Sequence, residues 1–206
     1  MRSSRGGILL MTLQALVVYY SPGGNTRQVA EAIVRGLTRQ GTETTLLEMG
    51  AVGDADLYSY DLVCLGCPAY NFAVPEPVLR FTKGQLRRYG KEGRVQLGAP
   101  LLPGKWGVAF VTYAGPHTGI AEATPAGDHL AQMFRHLGYQ VRGLWYTVGA
   151  FHGEARADAN LYGFLGDIRG RPNEHDLGVI ESNAAGLAFV LAHEKAQLDS
   201  LRDGQP

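Results

Sequence analysis

Apolar and polar positions along this chain alternate between two periods. Short apolar runs recur: Leu16–Tyr20 is uninterrupted, 44–49 (TTLLEM) is partly alternating, 61–66 (DLVCLG) is almost wholly apolar, and 105–112 (KWGVAFVT) and 139–151 (YQVRGLWYTVGAF) supply two more. Between them lie segments with apolar residues every three or four positions. Val29, Ala30, Ile33, Val34 and Leu37 form one stripe, with Arg27, Gln28, Glu31 and Arg35 facing away and Gly41 ending the helix. A second helix opens on the prolines of PEPVLRFTKGQLRRYG. A third carries Leu130, Met133, Phe134 and Leu137, beginning either at Thr124–Pro125 or near Gly119. The last has Leu177, Ile180, Ala184, Leu187, Ala188 and Leu191, capped by Asp176 or Asn173. Wholly apolar strands alternating with amphipathic helices predict an α/β domain with a doubly wound, five-stranded parallel sheet.

At 206 residues the chain is one elaborated domain. Its expected organisation is a flexible tail over 1–10, with Met11 as a possible start, a single domain over 11–196, and a C-terminal tail over 197–206. Residues 151–175 show no clear period and read as a late insertion before the C-terminal helix. The opening GILLMTLQALVVYY, preceded by Arg2 and Arg5, imitates a secretory leader. It lacks a small-x-small cleavage site, is broken by Gln14, and contains the first strand.

Charge narrows the partners. Nineteen basic and nineteen acidic residues cancel without runs of like sign, which disfavours nucleic acid and anionic membrane surfaces. Two cysteines give no disulfide framework and fit a reducing cytoplasm. Cys64 and Cys67 spell C-x-x-C, but residues three apart on a strand face opposite ways, so they read as buried small side chains. His129, His136, His152, His175 and His193 lack metal-ligand spacing, and no metal site is expected.

The chemistry concentrates in Ser21-Pro22-Gly23-Gly24-Asn25-Thr26, between the first strand and its helix. A helix N-terminus offers unpaired N–H groups and the positive end of a dipole, glycines let the backbone wrap an anion, and Ser21, Asn25 and Thr26 add donors. The Gly-Lys-Ser/Thr of a Walker loop and the G-x-G-x-x-G of a dinucleotide loop are both absent. The remaining hydroxyl-x-x-Gly-x-Thr pattern, with Gly24-Asn25-Thr26, resembles the loop by which flavodoxins bind the phosphate of FMN.

Two more loops share the resemblance. GCPAYNFAVPEP (66–77) is similar to the second flavin-contacting loop of flavodoxins and flavin reductases. There, Pro68, Ala69, Tyr70, Asn71 and Phe72 are the expected contacts, with an aromatic stacking on the ring. TYAGPHTG (112–119) is similar to the third loop, whose amides face the pyrimidine edge; Thr112, Tyr113, Ala114, Gly115 and His117 are the candidates, His117 also as a weak catalytic one. The resemblance covers roughly 13–195 and implies a sheet order of 2-1-3-4-5. It departs from the family at Asn71, where many flavodoxins carry glycine. GRPNEHDL (170–177) looks like a segment of flavodoxin-type domains fused to ferredoxin modules; two cysteines cannot supply such clusters, so they would reside on another protein.

The resemblance implies FMN as cofactor, cytoplasmic location, and a carrier passing electrons to a redox partner such as a ferredoxin or a reductase. The alternative is an NAD(P)H-dependent quinone or flavin reductase acting on a small-molecule acceptor, favoured by the neutral charge and by Phe151, His152 and Tyr162 in the insertion. Related reductases pair as homodimers. A scaffold without cofactor is the third reading, opposed by the intact first loop.

Overall fold

The computed structural model describes residues 12–152 and 157–203. The expected tail over 1–10 and the start at Met11 lie outside the described residues. Five parallel strands, β1 (Gln14–Tyr19), β2 (Glu43–Glu48), β3 (Leu62–Pro68), β4 (Trp106–Tyr113) and β5 (Gln140–Val148), form one sheet in the order β2-β1-β3-β4-β5. This is the doubly wound 2-1-3-4-5 arrangement. The order reverses between β1 and β3, so the chain leaves these neighbours toward opposite faces and opens a crevice at their carboxyl ends.

The helices are α1 (Asn25–Arg39), α2 (Glu76–Lys91), α3 (Thr124–His136), α4 (Ala157–Tyr162) and α5 (Glu174–Asp203). Strand alternation divides the interior in two. Ala15, Val17, Leu62, Cys64, Val108 and Phe110 face α1 and α5, meeting Val29, Ile33, Leu37, Ile180, Ala184 and Leu191. Leu16, Val18, Val63, Leu65, Cys67, Ala109 and Val111 face the other layer, with Val78 and Tyr89 of α2 and Leu130 and Phe134 of α3. Cys64 and Cys67 therefore lie on opposite faces, both buried. Burial pushes both thiols well above the ordinary range, which keeps them protonated and unreactive.

Three boundaries differ from the sequence pattern. A short 3-10 turn at Gly119–Glu122 precedes α3, so both predicted starts mark real helical structure. Helix α5 runs to Asp203 where a tail was expected from 197, because Leu198 packs onto the layer that holds Trp106. Strand β5 stops at Val148, and a one-turn helix, α4, appears inside the aperiodic stretch. Asn173 and Asp176 cap α5 reciprocally: the Asp176 N–H donates to Asn173 Oδ1 at 3.1 Å, and the Asn173 N–H to Asp176 Oδ2 at 2.9 Å. No described helix is long and apolar enough to cross a membrane.

Candidate functional site

Four chain segments leave the carboxyl end of the sheet together. The backbone continues the ladder past the strands: Tyr20 N–H donates to the Gly66 carbonyl, Ala69 N–H to Thr112, and Gly149 N–H to Tyr113. Successive loops therefore begin in register around the β1/β3 crevice.

In the first loop, Gly24 sits at φ 89°, a left-handed conformation that glycine adopts without strain. No side chain at that position caps α1. Instead Ser21 Oγ accepts from the Arg27 N–H at 3.0 Å, which leaves the hydroxyl proton free to donate outward. Thr26 is 1% exposed, and its hydroxyl bonds that of Thr112 at 2.7 Å beneath the loop. The backbone N–H groups of Asn25 and Thr26 have no acceptor among the described residues. Every helix leaves its first N–H groups without intrahelical partners, and here two of them stay available to an external acceptor such as an anion.

Among the described residues, three arginines of the loop segments are paired with carboxylates. Arg27 points outward and pairs with Glu31 at 2.8 Å, as its place off the apolar stripe predicts. Arg169 is held by Asp167, and Arg171 forks onto the carboxylate of Asp176. Among the described residues, the first loop itself offers an anion amides and hydroxyls.

The second loop is a tight turn in which Tyr70 N–H donates to the Ala73 carbonyl at 2.9 Å and Ala73 N–H returns to Tyr70 at 3.0 Å. Its central residues, Asn71 at φ 48° and Phe72 at φ 64°, both occupy the left-handed region. Asparagine tolerates this well; a bulky aromatic there is uncommon, and such strain marks functional loops. The turn lifts the rings into solvent, with Tyr70 46% and Phe72 58% exposed. Pro68 ends β3 at the base of this loop, half-buried.

In the third loop Ala114 and Gly115 are buried and Tyr113 is half-buried. Gly115, at φ 52°, lies so close to Gly119 that a Cβ would stand 2.5 Å from its carbonyl oxygen. Glu122 accepts from the N–H groups of His117 and Thr118, each at 2.7 Å, so these two amides are engaged within the loop. The expectation that loop amides line a ligand therefore narrows to the 113–115 stretch. The His117 side chain is exposed. Among the described residues no three His, Cys, Asp or Glu side chains gather as a metal site would require.

The fourth segment, after β5, is the one the sequence did not resolve. Gly149 admits Asn25 so closely that a Cβ would lie 2.6 Å from Nδ2. Asn25 Nδ2 donates to the Ala150 carbonyl at 2.8 Å, and Asn25 Oδ1 meets His152 Nε2 at 3.0 Å. Further on, Phe164 N–H donates to the Pro116 carbonyl at 2.7 Å, and its ring reaches Gly119. The late excursion thus touches both the first and third loops. Its periodicity gave no signal because α4 is six residues long and the segment is held by scattered single contacts rather than by an apolar stripe.

Comparison with known proteins bears on this geometry. The family model described as Flavodoxin matches residues 17–161, from β1 through α4. The chain belongs to the flavodoxin family. Flavodoxins use FMN, and the first loop, with its unpaired amides, fits the group's phosphate. A flavodoxin of Clostridium beijerinckii is 33% identical over 60 residues, which is 29% of this chain and 44% of that flavodoxin, so the match spans less than half of that relative. Among solved structures, a short-chain flavodoxin associated with a bacterial microcompartment superposes with a TM-score of 0.62 at 21% identity, covering 87% of this chain and 99% of the other. A flavodoxin, WrbA-like protein, from Agrobacterium tumefaciens gives a TM-score of 0.57 at 17% identity, over 89% of this chain and 99% of that one. At these identities the structures bear on the fold.

Proposed function

We propose that this flavodoxin holds FMN across the β1/β3 crevice and carries electrons between cellular redox partners. The observation that carries the reading is the pair of unpartnered N–H groups at Asn25 and Thr26, the latter within a residue 1% exposed. They are joined by the outward-facing hydroxyl of Ser21. A helix N-terminus presenting amides in this way is complementary to a phosphate monoester.

In this reading each loop has its own task. Ser21, Pro22, Gly23, Gly24, Asn25 and Thr26 enclose the phosphate. Pro68, Ala69, Tyr70, Asn71 and Phe72 form a wall on which an aromatic can stack. Thr112, Tyr113, Ala114 and Gly115, with His117 at the rim, border the remaining edge. Thr112 works from below, tying the first loop through its hydroxyl and the second through its carbonyl. Bound FMN supplies the capacity to accept and release electrons; the protein binds it, orients it and limits its contact with water. The guanidiniums of Arg27, Arg169 and Arg171, each matched with a carboxylate, contribute little net positive charge to favour an anionic reduced ring.

A second reading, an NAD(P)H-dependent quinone or flavin reductase, draws on one observation. Phe164 stands exposed beside the third loop, its ring reaching Gly119, and Tyr162 is exposed two residues before it, so the excursion offers aromatic surface to a small acceptor. Anaerobic mixing with NADH or NADPH separates the two. A carrier stays yellow until a separate reductase is added, whereas an enzyme bleaches rapidly with the nucleotide alone. Apoprotein that fails to quench the fluorescence of added FMN in a saturable way would overturn both.

A further inference from the structure

Exposed cations elsewhere on this chain are mostly matched: Arg27 pairs with Glu31, Arg35 and Arg39 with Glu181, Arg169 with Asp167 and Arg202 with Asp199. Helix α2 is different. Residues 76–94 hold six basic side chains against two acidic ones, in a chain of zero net charge. Arg88 pairs with Glu92 at 3.1 Å, Arg80 lies 3.8 Å from Glu76, and Arg94 turns to Asp56 at 3.0 Å. Lys83, Arg87 and Lys91 stay exposed, with no carboxylate within 4 Å among the described residues.

These three residues stand four apart, so they form one row along the outer face of α2, about 12 Å from first to last. Like charges at this spacing oppose helix formation. The helix dipole favours cations in the last turn, which accounts for Lys91 but not for Lys83 or Arg87. The row therefore costs the folded chain something unless an anionic surface meets it. Its helix also springs from the second loop: Pro75 leads into the first turn, and the exposed rings of Tyr70 and Phe72 stand just before it.

We infer that the row Lys83, Arg87 and Lys91 is a docking strip for an acidic protein surface, by which a redox partner is laid beside the second loop. The inference rests on the carrier reading and gives the partner its chemistry. Electron carriers meet their partners in small, transient contacts, and complementary charge sets how fast and in which orientation they meet. Three cations on one helix face suit a cluster of carboxylates. Nucleic acid and anionic membranes draw affinity from many basic contacts at once, and this row is short in a chain of zero net charge.

The test titrates the FMN-loaded, ¹⁵N-labelled chain at low ionic strength with poly-L-glutamate as the acidic probe. A Lys83→Gln, Arg87→Gln, Lys91→Gln variant is compared with Arg35→Gln, Arg39→Gln, Arg202→Gln, which removes the same charge from exposed positions elsewhere. The expected result is saturable shifts of amides along α2 and in the 70–73 turn, weakening with salt. The dissociation constant should rise at least about tenfold in the α2 variant and change less than about twofold in the control. The α2 variant should also resist denaturant as well as wild type or better, because its like-charge repulsion is gone. Absence of saturable binding, shifts that avoid α2, or equal losses in the two variants overturns the docking strip. A thymidine oligonucleotide or a phosphatidylserine vesicle that binds the row more tightly than poly-L-glutamate overturns its assignment to an acidic protein. A chain that holds no FMN by absorbance, yet still binds poly-L-glutamate along α2, overturns the carrier reading and leaves the strip standing.

Discussion

The two ends of the sheet handle polar groups in opposite ways. At the amino end, the polar atoms of one cluster pair among themselves. The Tyr89 hydroxyl accepts from the Leu57 N–H at 2.8 Å and donates to Asp56 Oδ1. Tyr58 donates to the Leu137 carbonyl, Tyr139 to that of Leu57, and Arg94 closes on Asp56 at 3.0 Å. The three tyrosine rings also pack directly, Tyr58 lying edge-on to Tyr89 at 4.9 Å and tilted to Tyr139 at 5.5 Å. Beside them Lys195 binds Asp61 at 2.6 Å, tying α5 to the start of β3. At the carboxyl end the amides of Asn25 and Thr26 have no acceptor among the described residues, two non-glycine residues hold left-handed backbone, and aromatic rings face solvent. A satisfied cluster reports stability. An open one can take a partner, and this contrast points to the candidate site at the carboxyl end rather than to the apolar surface groove at the amino end among Leu101, Leu102, Leu198 and Leu201.

Substitutions at the two ends should therefore separate stability from binding. The largest effect belongs to Tyr139→Ala at the amino end. Removing a ring that is 1% exposed, together with its hydrogen bond to Leu57, should cost about 3–5 kcal/mol in denaturant unfolding while leaving FMN affinity of the folded protein unchanged. A large loss of affinity would show that the two ends are not independent. At the other end, Thr26→Val strands the Thr112 hydroxyl in a buried place. It should lower stability by about 1–3 kcal/mol and, unlike Tyr139→Ala, weaken FMN as well, because the same bond ties the first loop to the third. An unaltered dissociation constant would uncouple that bond from the site.

The smallest effect is a pH dependence. Burial pushes the Asp56 carboxyl up, but the Arg94 guanidinium and the Tyr58 N–H outweigh it and hold the group below the usual carboxylate range. A depressed folded value means that the contribution to stability is present above the unfolded value, near pH 4, and is lost as pH falls through the folded one. Unfolding free energy of Asp56→Asn should fall less steeply than that of wild type below about pH 4, with FMN affinity at neutral pH unaffected. Parallel curves would assign the acid sensitivity to other groups.

Much of this was legible in the sequence, for physical reasons that differ by region. Strands buried on both faces, such as Leu16–Tyr20, must be continuously apolar, and α1 must show a stripe, so the doubly wound sheet follows from pattern. The loop at 21–26 was legible because glycines and hydroxyls between a strand and a helix have few other uses. Its tie to the segment after β5 was not, since Asn25 meets the Ala150 carbonyl 125 residues and the His152 ring 127 residues along the chain, a distance no local period records. The engagement of the His117 and Thr118 amides by Glu122 was equally hidden, being a turn closed by one side chain. The extension of α5 to Asp203 escaped because Leu198 is apolar for a tertiary reason.

The claim on which the account stands is that the open amides at the start of α1 hold a phosphate. Two-dimensional NMR of the ¹⁵N-labelled protein measures this directly. The account predicts that the Asn25 and Thr26 amide protons move strongly downfield when FMN is added, and much less with riboflavin. Saturable FMN binding with those two resonances unmoved would contradict it.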